Sequence, residues 1–356
     1  MIWAWVIFVG FVLLMLALDL GVFHRKSHVV GMKESLGWSA IWITLGLSFS
    51  ILVYFGYENH WFGLGFAKDA VDGAVNTGKL AATKYLTGYV VEKSLSVDNI
   101  FVIAMVFGSL AVPAQYQHRV LFWGILGALL MRGVMIGVGA ALVQNFHWIL
   151  YLFGVFLIIT GLKMLFMKEK EEHPEDNAVV RFLKKRFPIT RDFHGQHFLV
   201  KAGSATSLEP QVAGAEVIPD PVVQNAVPGK WLLTPLAVAL VLVEVTDVIF
   251  AVDSIPAIFA ITADPFLVFT SNVFAILGLR SLYFALAGLI SKFRYLKPAL
   301  SLILLVVGVK MLTAKYLKAW LGESFNFVVL GVILALLIGG VVTSLIVGSE
   351  DDEKKA

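Results

Sequence analysis

Residues 244–256 read Glu-Val-Thr-Asp-Val-Ile-Phe-Ala-Val-Asp-Ser-Ile-Pro inside an otherwise apolar segment that runs from 231 to 260. An ionisable group at the centre of a bilayer costs about 2.5–3.5 kcal/mol on insertion scales, so such groups face a cavity or one another and mark function. Glu244 and Asp247 share a helix face at i, i+3, whereas Asp253 falls about 120° or more from both on a regular helix. Pro256 cannot donate to the Val252 carbonyl, which frees an acceptor beside Asp253. A helix broken there would turn carboxylates, carbonyls and the Ser254 hydroxyl towards one cavity. The 30-residue segment is about half again as long as a bilayer needs, which fits a kinked or tilted span.

Working outward, the whole chain has the composition of a membrane protein. Its 356 residues are 58% hydrophobic and 15% charged, with mean hydropathy +0.83, too apolar for an ordinary soluble domain. Apolar runs of about 20 residues predict nine spans, near 3–23, 36–57, 89–110, 119–142, 147–167, 231–260, 267–289, 296–314 and 325–347. The first is not read as a signal peptide: it lacks a positive n-region, carries Asp19, and has Arg25 and Lys26 on its far side.

Of the 28 Lys and Arg residues, 18 lie in the loops after spans 1, 3, 5 and 7 and in the C-terminal tail, and five lie in the opposite loops. The basic side is expected to be cytoplasmic, with the N-terminus outside.

A second set of charged residues echoes the first. Asp98, Arg132 and Gly161-Leu162-Lys163-Met164-Leu165 recur in order as Asp247, Arg280 and Gly308-Val309-Lys310-Met311-Leu312. The two sets begin three crossings apart and so enter the membrane from opposite faces. The fold class expected is therefore all-α, with about nine transmembrane helices and two inverted-topology three-helix repeats, a device of secondary transporters that bind substrate near the midplane. Two registers stay open: even spacing pairs Asp98 with Asp247, and local identity pairs 97–100 with 252–255.

The domain plan that follows has spans 1 and 2 with an external loop over 1–88, repeat 1 over 89–167 and a cytoplasmic loop over 168–230. Repeat 2 covers 231–315, a final span 316–348 and a disordered acidic tail 349–356. In the loop, 168–176 and 181–191 have helical character and 198–227 could form a small hairpin, against the alternative of a solvated linker.

Span 3 opens with Glu92-Lys93-Ser94-Leu95-Ser96-Val97-Asp98-Asn99. Glu92 and Ser96 share a face, and Asp98 lies about 120° from Glu92. Glu92 and Lys93 have a plainer reading as residues in headgroup water at the outer end. Arg132 and Arg280, near span centres, are too deep to snorkel and are expected to pair with the acids. Lys163 and Lys310 complete the cationic set but lie near span ends, where snorkelling explains them. Met105, Met131 and Met135 read as packing, and Asn272 as a possible extra oxygen donor.

Oxygen donors without any cysteine suit a hard divalent cation such as Mg²⁺, Ca²⁺ or Mn²⁺. The metal set expected is Asp98, Asn99, Glu92, Glu244, Asp247, Asp253 and Ser254. No resident cofactor, enzymatic activity or nucleic-acid partner is expected, and no Walker A motif supports ATP-driven pumping. Export of a divalent cation against an inside-negative potential costs about 4.6 kcal/mol per 100 mV, at about 2.3 per charge. Proton exchange at titratable Asp and Glu would supply that coupling.

At Glu92-x-x-x-Ser96-x-Asp98-Asn99, Glu244-x-x-Asp247, Asp253-Ser254-Ile255-Pro256-Ala257, Thr270-Ser271-Asn272 and Leu279-Arg280-Ser281-Leu282-Tyr283, the chain resembles the TerC family. It is most similar to the longer Alx branch of bacterial inner-membrane proteins. The resemblance covers about residues 3–345, including the His194-Gly195 element of the long loop. It implies manganese as the cation, association with tellurite-resistance clusters, and supply of manganese to secreted proteins. The alternative it leaves is a membrane scaffold that partners with secretion machinery for the metalation of exported proteins. An intramembrane hydrolase using paired aspartates is a third reading, with no clear substrate cleft.

Overall fold

The computed structural model describes residues 2–18, 31–146, 148–166, 178–204, 220–286, 295–321 and 325–347. The expected helical character of 168–176, the middle of the expected hairpin and the acidic tail fall outside them.

The chain is a bundle of helices, as a hydrocarbon solvent requires when it offers backbone groups no partner. In order they are α1 (Ile2–Leu18), α2 (Met32–Glu58), α3 (Gly78–Ser109), α4 (Ala114–Asn145), α5 (Ile149–Phe166), α6 (Ala178–Arg186), α7 (Pro221–Gln224), α8 (Pro235–Phe259), α9 (Pro265–Leu277), α10 (Leu279–Leu286), α11 (Leu296–Leu321) and α12 (Phe325–Val347). Among the described residues seven helices are long and apolar enough to cross a membrane, with α9 and α10 counted together as 265–286. The protein is thus an all-α, multi-pass membrane protein. Two of the nine expected spans lie outside that set. The described part of α1 has only 17 residues, and α3 carries too many polar groups to qualify on composition.

The place of α3 explains that polarity. It packs against α2, α8, α9 and α12, so its polar side chains meet helices instead of lipid. Outward faces of α4, α5 and α8 instead present Leu130, Val134, Val138, Ile159 and Ile249. Trp5 and Phe8 of α1 pack edge-on to Phe266 of α9, which fixes the first helix to the core.

The expected break at Pro256 is absent: α8 runs unbroken from Pro235 to Phe259, because Pro256 sits in its last turn, where the missing bond is a minor loss. The interruption falls instead at Gly278, between α9 and α10, inside the expected span 267–289. A Cβ at Gly278 would lie 2.9 Å from both Lys93 Nζ and Trp42 Cβ. Lys93 Nζ donates to the Ala275 carbonyl at 3.0 Å, a group left over at the end of α9. Lys93 is therefore a cap inside the bundle and not a headgroup residue.

The tightest helix pair is α5 with α11, which approach through glycines. A Cβ at Gly308 would lie 2.8 Å from Ile158 Cγ1 and 2.9 Å from the Gly154 carbonyl oxygen, the small-residue contact that lets helices close in lipid. Gly308→Ala must push the backbones apart. It is expected to destabilise the protein by about 1–3 kcal/mol, read as a lower thermal unfolding midpoint in detergent; an unchanged midpoint would show that the contact is slack.

The described part of 178–234 folds against the bundle and is more than a solvated linker. Val180 and Leu183 of α6 pack on Val238 and Leu242 of α8. Strands β1 (Leu199–Lys201) and β2 (Trp231–Leu233) pair antiparallel, so the second strand lies beyond the expected hairpin run and leads directly into α8. Thr234 then caps α8, accepting from Ala237 N, with Pro235 in the first turn.

Candidate functional site

Arg132 sits near the middle of α4 and is 2% exposed. A lone guanidinium at that depth is untenable, and three neighbouring helices answer it. Its Nε and Nη2 donate to the two oxygens of Asp247 on α8, at 3.1 and 2.9 Å, a bidentate pair. Its Nη1 donates to Glu92 of α3 and lies 3.3 Å from both Ser254 Oγ of α8 and Asn272 Oδ1 of α9. Asn99 of α3, about two turns beyond Glu92, donates Nδ2 to Asp247 Oδ1 at 3.1 Å. Glu92, Asp247, Ser254 and Asn272 thus converge on one cation, with Asn99 bonded to Asp247, and all five are buried.

The set is not saturated. Glu92 Oε2, Ser96 Oγ, Asn99 Oδ1 and Asn272 Nδ2 are buried without a hydrogen-bond partner. An unmade hydrogen bond on a buried polar group costs about 1–3 kcal/mol. Three of the four are oxygens, the donor type a hard cation takes. Among the described residues no group of three His, Asp or Glu side chains stands close enough to hold a metal, and the Arg132 guanidinium lies between Glu92 and Asp247.

Glu92 corrects the headgroup reading, since it is fully buried. The structure separates the other expected acids. Glu244 is half-buried, its carboxylate pressed against Gly127 of α4 so closely that any side chain there would collide with it. Asp253 is half-buried too and faces α5, where Thr160 Oγ1 donates to it at 3.4 Å. With α8 unbroken at Pro256, helix geometry keeps Asp253 away from the Asp247 face. Asp98 lies in α3 beside Asn99, and its side chain is outside what the structure describes.

The cations also divide. Arg280 is buried on α10 beside a small cavity lined by Trp42, His118 and Ser281. Lys163 is exposed in the last turn of α5. Lys310 departs from the snorkelling reading: α11 continues to Leu321, so Lys310 is well inside the helix, 3% exposed, with its ammonium 5.2 Å from the Phe325 ring centre.

A second buried polar network lies at the opposite end from α6, where α3 begins. Lys84 Nζ donates to Asp69 Oδ2 and Asn76 Oδ1, both at 2.8 Å, and sits 2.9 Å from Asp72 Oδ2. Burial alone would raise the Asp69 carboxyl, but Lys84 and the bonds from Thr262 and the Ala263 N–H hold it below the usual carboxylate range. Burial pushes the nearby Asp264 carboxyl up. Lys84 precedes the expected span 89–110, where hydropathy makes it one of the five cations of the opposite loops. The signal present was the acid-rich turn Lys68-Asp69-Ala70-Val71-Asp72-Gly73, but its partner Thr262 is remote in sequence.

Comparisons with known proteins agree with this architecture. The family model described as "Integral membrane protein TerC family" matches residues 77–352, which include both networks apart from the 69–76 turn and Tyr57. An uncharacterized membrane protein of Myxococcus xanthus is 47% identical over 342 residues, covering 96% of this chain and 92% of the relative. Proteins named Alx, described as candidate membrane-bound redox modulators, are 42% identical in Photorhabdus laumondii, with 91% of this chain and 90% of the relative covered, and 40% identical in Escherichia coli, with 94% and 91% covered. No solved structure matches the chain at a significant level. With a family model over most of its length and relatives aligned almost end to end, the chain belongs to the TerC family of integral membrane proteins.

Proposed function

We propose that the chain is a secondary transporter that exports divalent manganese across the cytoplasmic membrane of a bacterium, in exchange for protons. The observation that carries this reading is the Arg132 centre: two carboxylates from different helices, buried at mid-helix, with Glu92 Oε2 and two further oxygens, Ser96 Oγ and Asn99 Oδ1, lacking partners. Arg132 serves as a tethered cation that offsets part of the carboxylate charge when no ion is bound. A divalent ion entering between Glu92 and Asp247 displaces it, and protonation of the same acids releases the ion. In the evenly spaced register Asp98 is the counterpart of Asp247 in the other repeat and contributes to the same path, whereas Asp253 and Glu244 stand aside from it.

In this reading α1 and α3 join the seven apolar helices to give nine crossings, with the repeats inverted about the Arg132 centre. The N-terminus is outside, and the α6 end is cytoplasmic, where Arg181, Lys184, Lys185 and Arg186 cluster. The chain is not an enzyme and needs no resident cofactor. Manganese, as opposed to magnesium or calcium, rests on the family resemblance, since the donor chemistry admits all three. The redox role in the relatives' name would require something other than thiols here, because the chain has no cysteine.

The test is manganese tolerance of cells lacking exporters and carrying the chain. Asp98→Asn and Asp247→Asn are expected to abolish tolerance while membrane insertion stays normal, and Asp253→Asn to weaken it less. Full tolerance in the first two variants would reject the reading. One observation favours the scaffold alternative, in which secretion machinery or exported metalloproteins are partners: the folded cap formed by α6, β1 and β2 is larger than a connection needs. Deleting 178–230 should then remove cellular function while flux survives.

A further inference from the structure

The network around Lys84 ties the segment between α2 and α3 to the turn between α8 and α9. Lys84 belongs to the second turn of α3, and its side chain is 0% exposed, as is that of Asp69. Asp69, Asp72 and Asn76 all come from the segment between α2 and α3. Lys84 has three N–H donors, and the three acceptors stand at 2.8–2.9 Å, so the ammonium is fully engaged. Asp69 then reaches across to the turn between α8 and α9, accepting from Thr262 Oγ1 at 2.5 Å and from the Ala263 N–H at 2.9 Å. In the same turn Asp264 accepts from Tyr57 Oη of α2 at 2.8 Å and caps α9 through the Phe266 N–H at 3.0 Å. Beneath lies Lys310 of α11, its ammonium over Phe325 of α12. Segments from both halves of the chain therefore meet in one dry, charged plug at the end away from the basic loops.

Charged plugs are poor glue. A buried ion pair repays its desolvation only partly, and an apolar replacement of similar volume is often as stable or more so. What ion pairs have over apolar packing is a second comfortable state, because once separated each group is solvated by water. We propose that the Lys84–Asp69–Asp72–Asn76 network is a latch that seals the outer end of the path leading to the Arg132 centre and that opens by withdrawal of the 59–77 segment from the turn at Thr262. The word outer and the existence of a path rest on the transport reading above; the latch itself does not.

The absence of cysteine makes the latch directly testable, since one introduced thiol is unique in the chain. Ser271 of α9 is 1% exposed, faces Gly88 of α3, and lies between the plug and Asn272. Ser271→Cys in right-side-out vesicles is to be labelled with a membrane-impermeant thiol reagent added outside. Labelling should be slow with the latch intact. Adding Lys84→Met, or Asp72→Ala, which removes a single arm and keeps the fold if Lys84→Met does not, should raise the rate at least about tenfold, the change expected on losing one charge-assisted bond from the closed state. An unchanged rate in the folded variants overturns the latch. Manganese flux measured on the same preparations separates the two ideas: latch-dependent labelling without flux rejects transport alone, and flux with latch-independent labelling rejects the latch alone.

Discussion

Arg132→Ala is expected to be the most destabilising single change in the membrane interior. It removes one cation from two carboxylates that are both buried, and leaves Ser254 and Asn272 without the group that organises them. Removing one partner of a buried pair costs about 3–5 kcal/mol, because the remaining charge stays uncompensated. Stability of a folded domain is itself only about 5–15 kcal/mol, so the variant should yield little monodisperse protein in detergent. The companion variant Arg132→Met with Glu92→Gln and Asp247→Asn removes all three charges at nearly constant volume. It should recover most of the loss in thermal stability. If Arg132→Ala alone were as stable as the parent, the ion cluster would not be the organising feature of the core.

Asp247→Asn is expected to have the largest effect on activity with the smallest effect on folding. The amide keeps the shape and can still accept one bond from Arg132 while Glu92 supplies the counter-charge. It cannot bind a cation by charge or exchange a proton. Losing a charged ligand of about 3 kcal/mol corresponds to about a hundredfold in affinity, so flux should fall by about that factor at limiting metal concentration. Thermal stability should change by less than in Arg132→Ala. A variant with full flux would place the ion elsewhere in the bundle.

Much of this was legible in the residues. Carboxylates and arginines in apolar segments announced a polar centre in a helical membrane protein, and Glu92, Asp247 and Arg132 were named for it. Which acid joins which cation was not, because Asp247 and Arg132 are 115 residues apart and only packing brings them together. Pro256 and Gly278 show how local rules mislead: proline near a helix end costs little, while a glycine pressed on Lys93 and Trp42 interrupts the span. Lys310 looked interfacial because hydropathy falls after residue 314, yet α11 continues past it. The Lys84 network was harder to read, because its acids lie in a loop and Thr262 and Ala263 in a remote turn, none with a periodic signal.

Movement of a divalent cation through the Arg132 centre can be measured without a cell. The most direct measurement is flux into proteoliposomes containing the purified chain, with Mn²⁺, Mg²⁺, Ca²⁺ and Zn²⁺ compared and a pH-sensitive dye reporting protons. Mn²⁺ movement accompanied by opposite proton movement, both lost in Asp247→Asn, is the expected result. Well-folded protein that moves no cation, or moves it equally in Asp247→Asn, would contradict the transport reading.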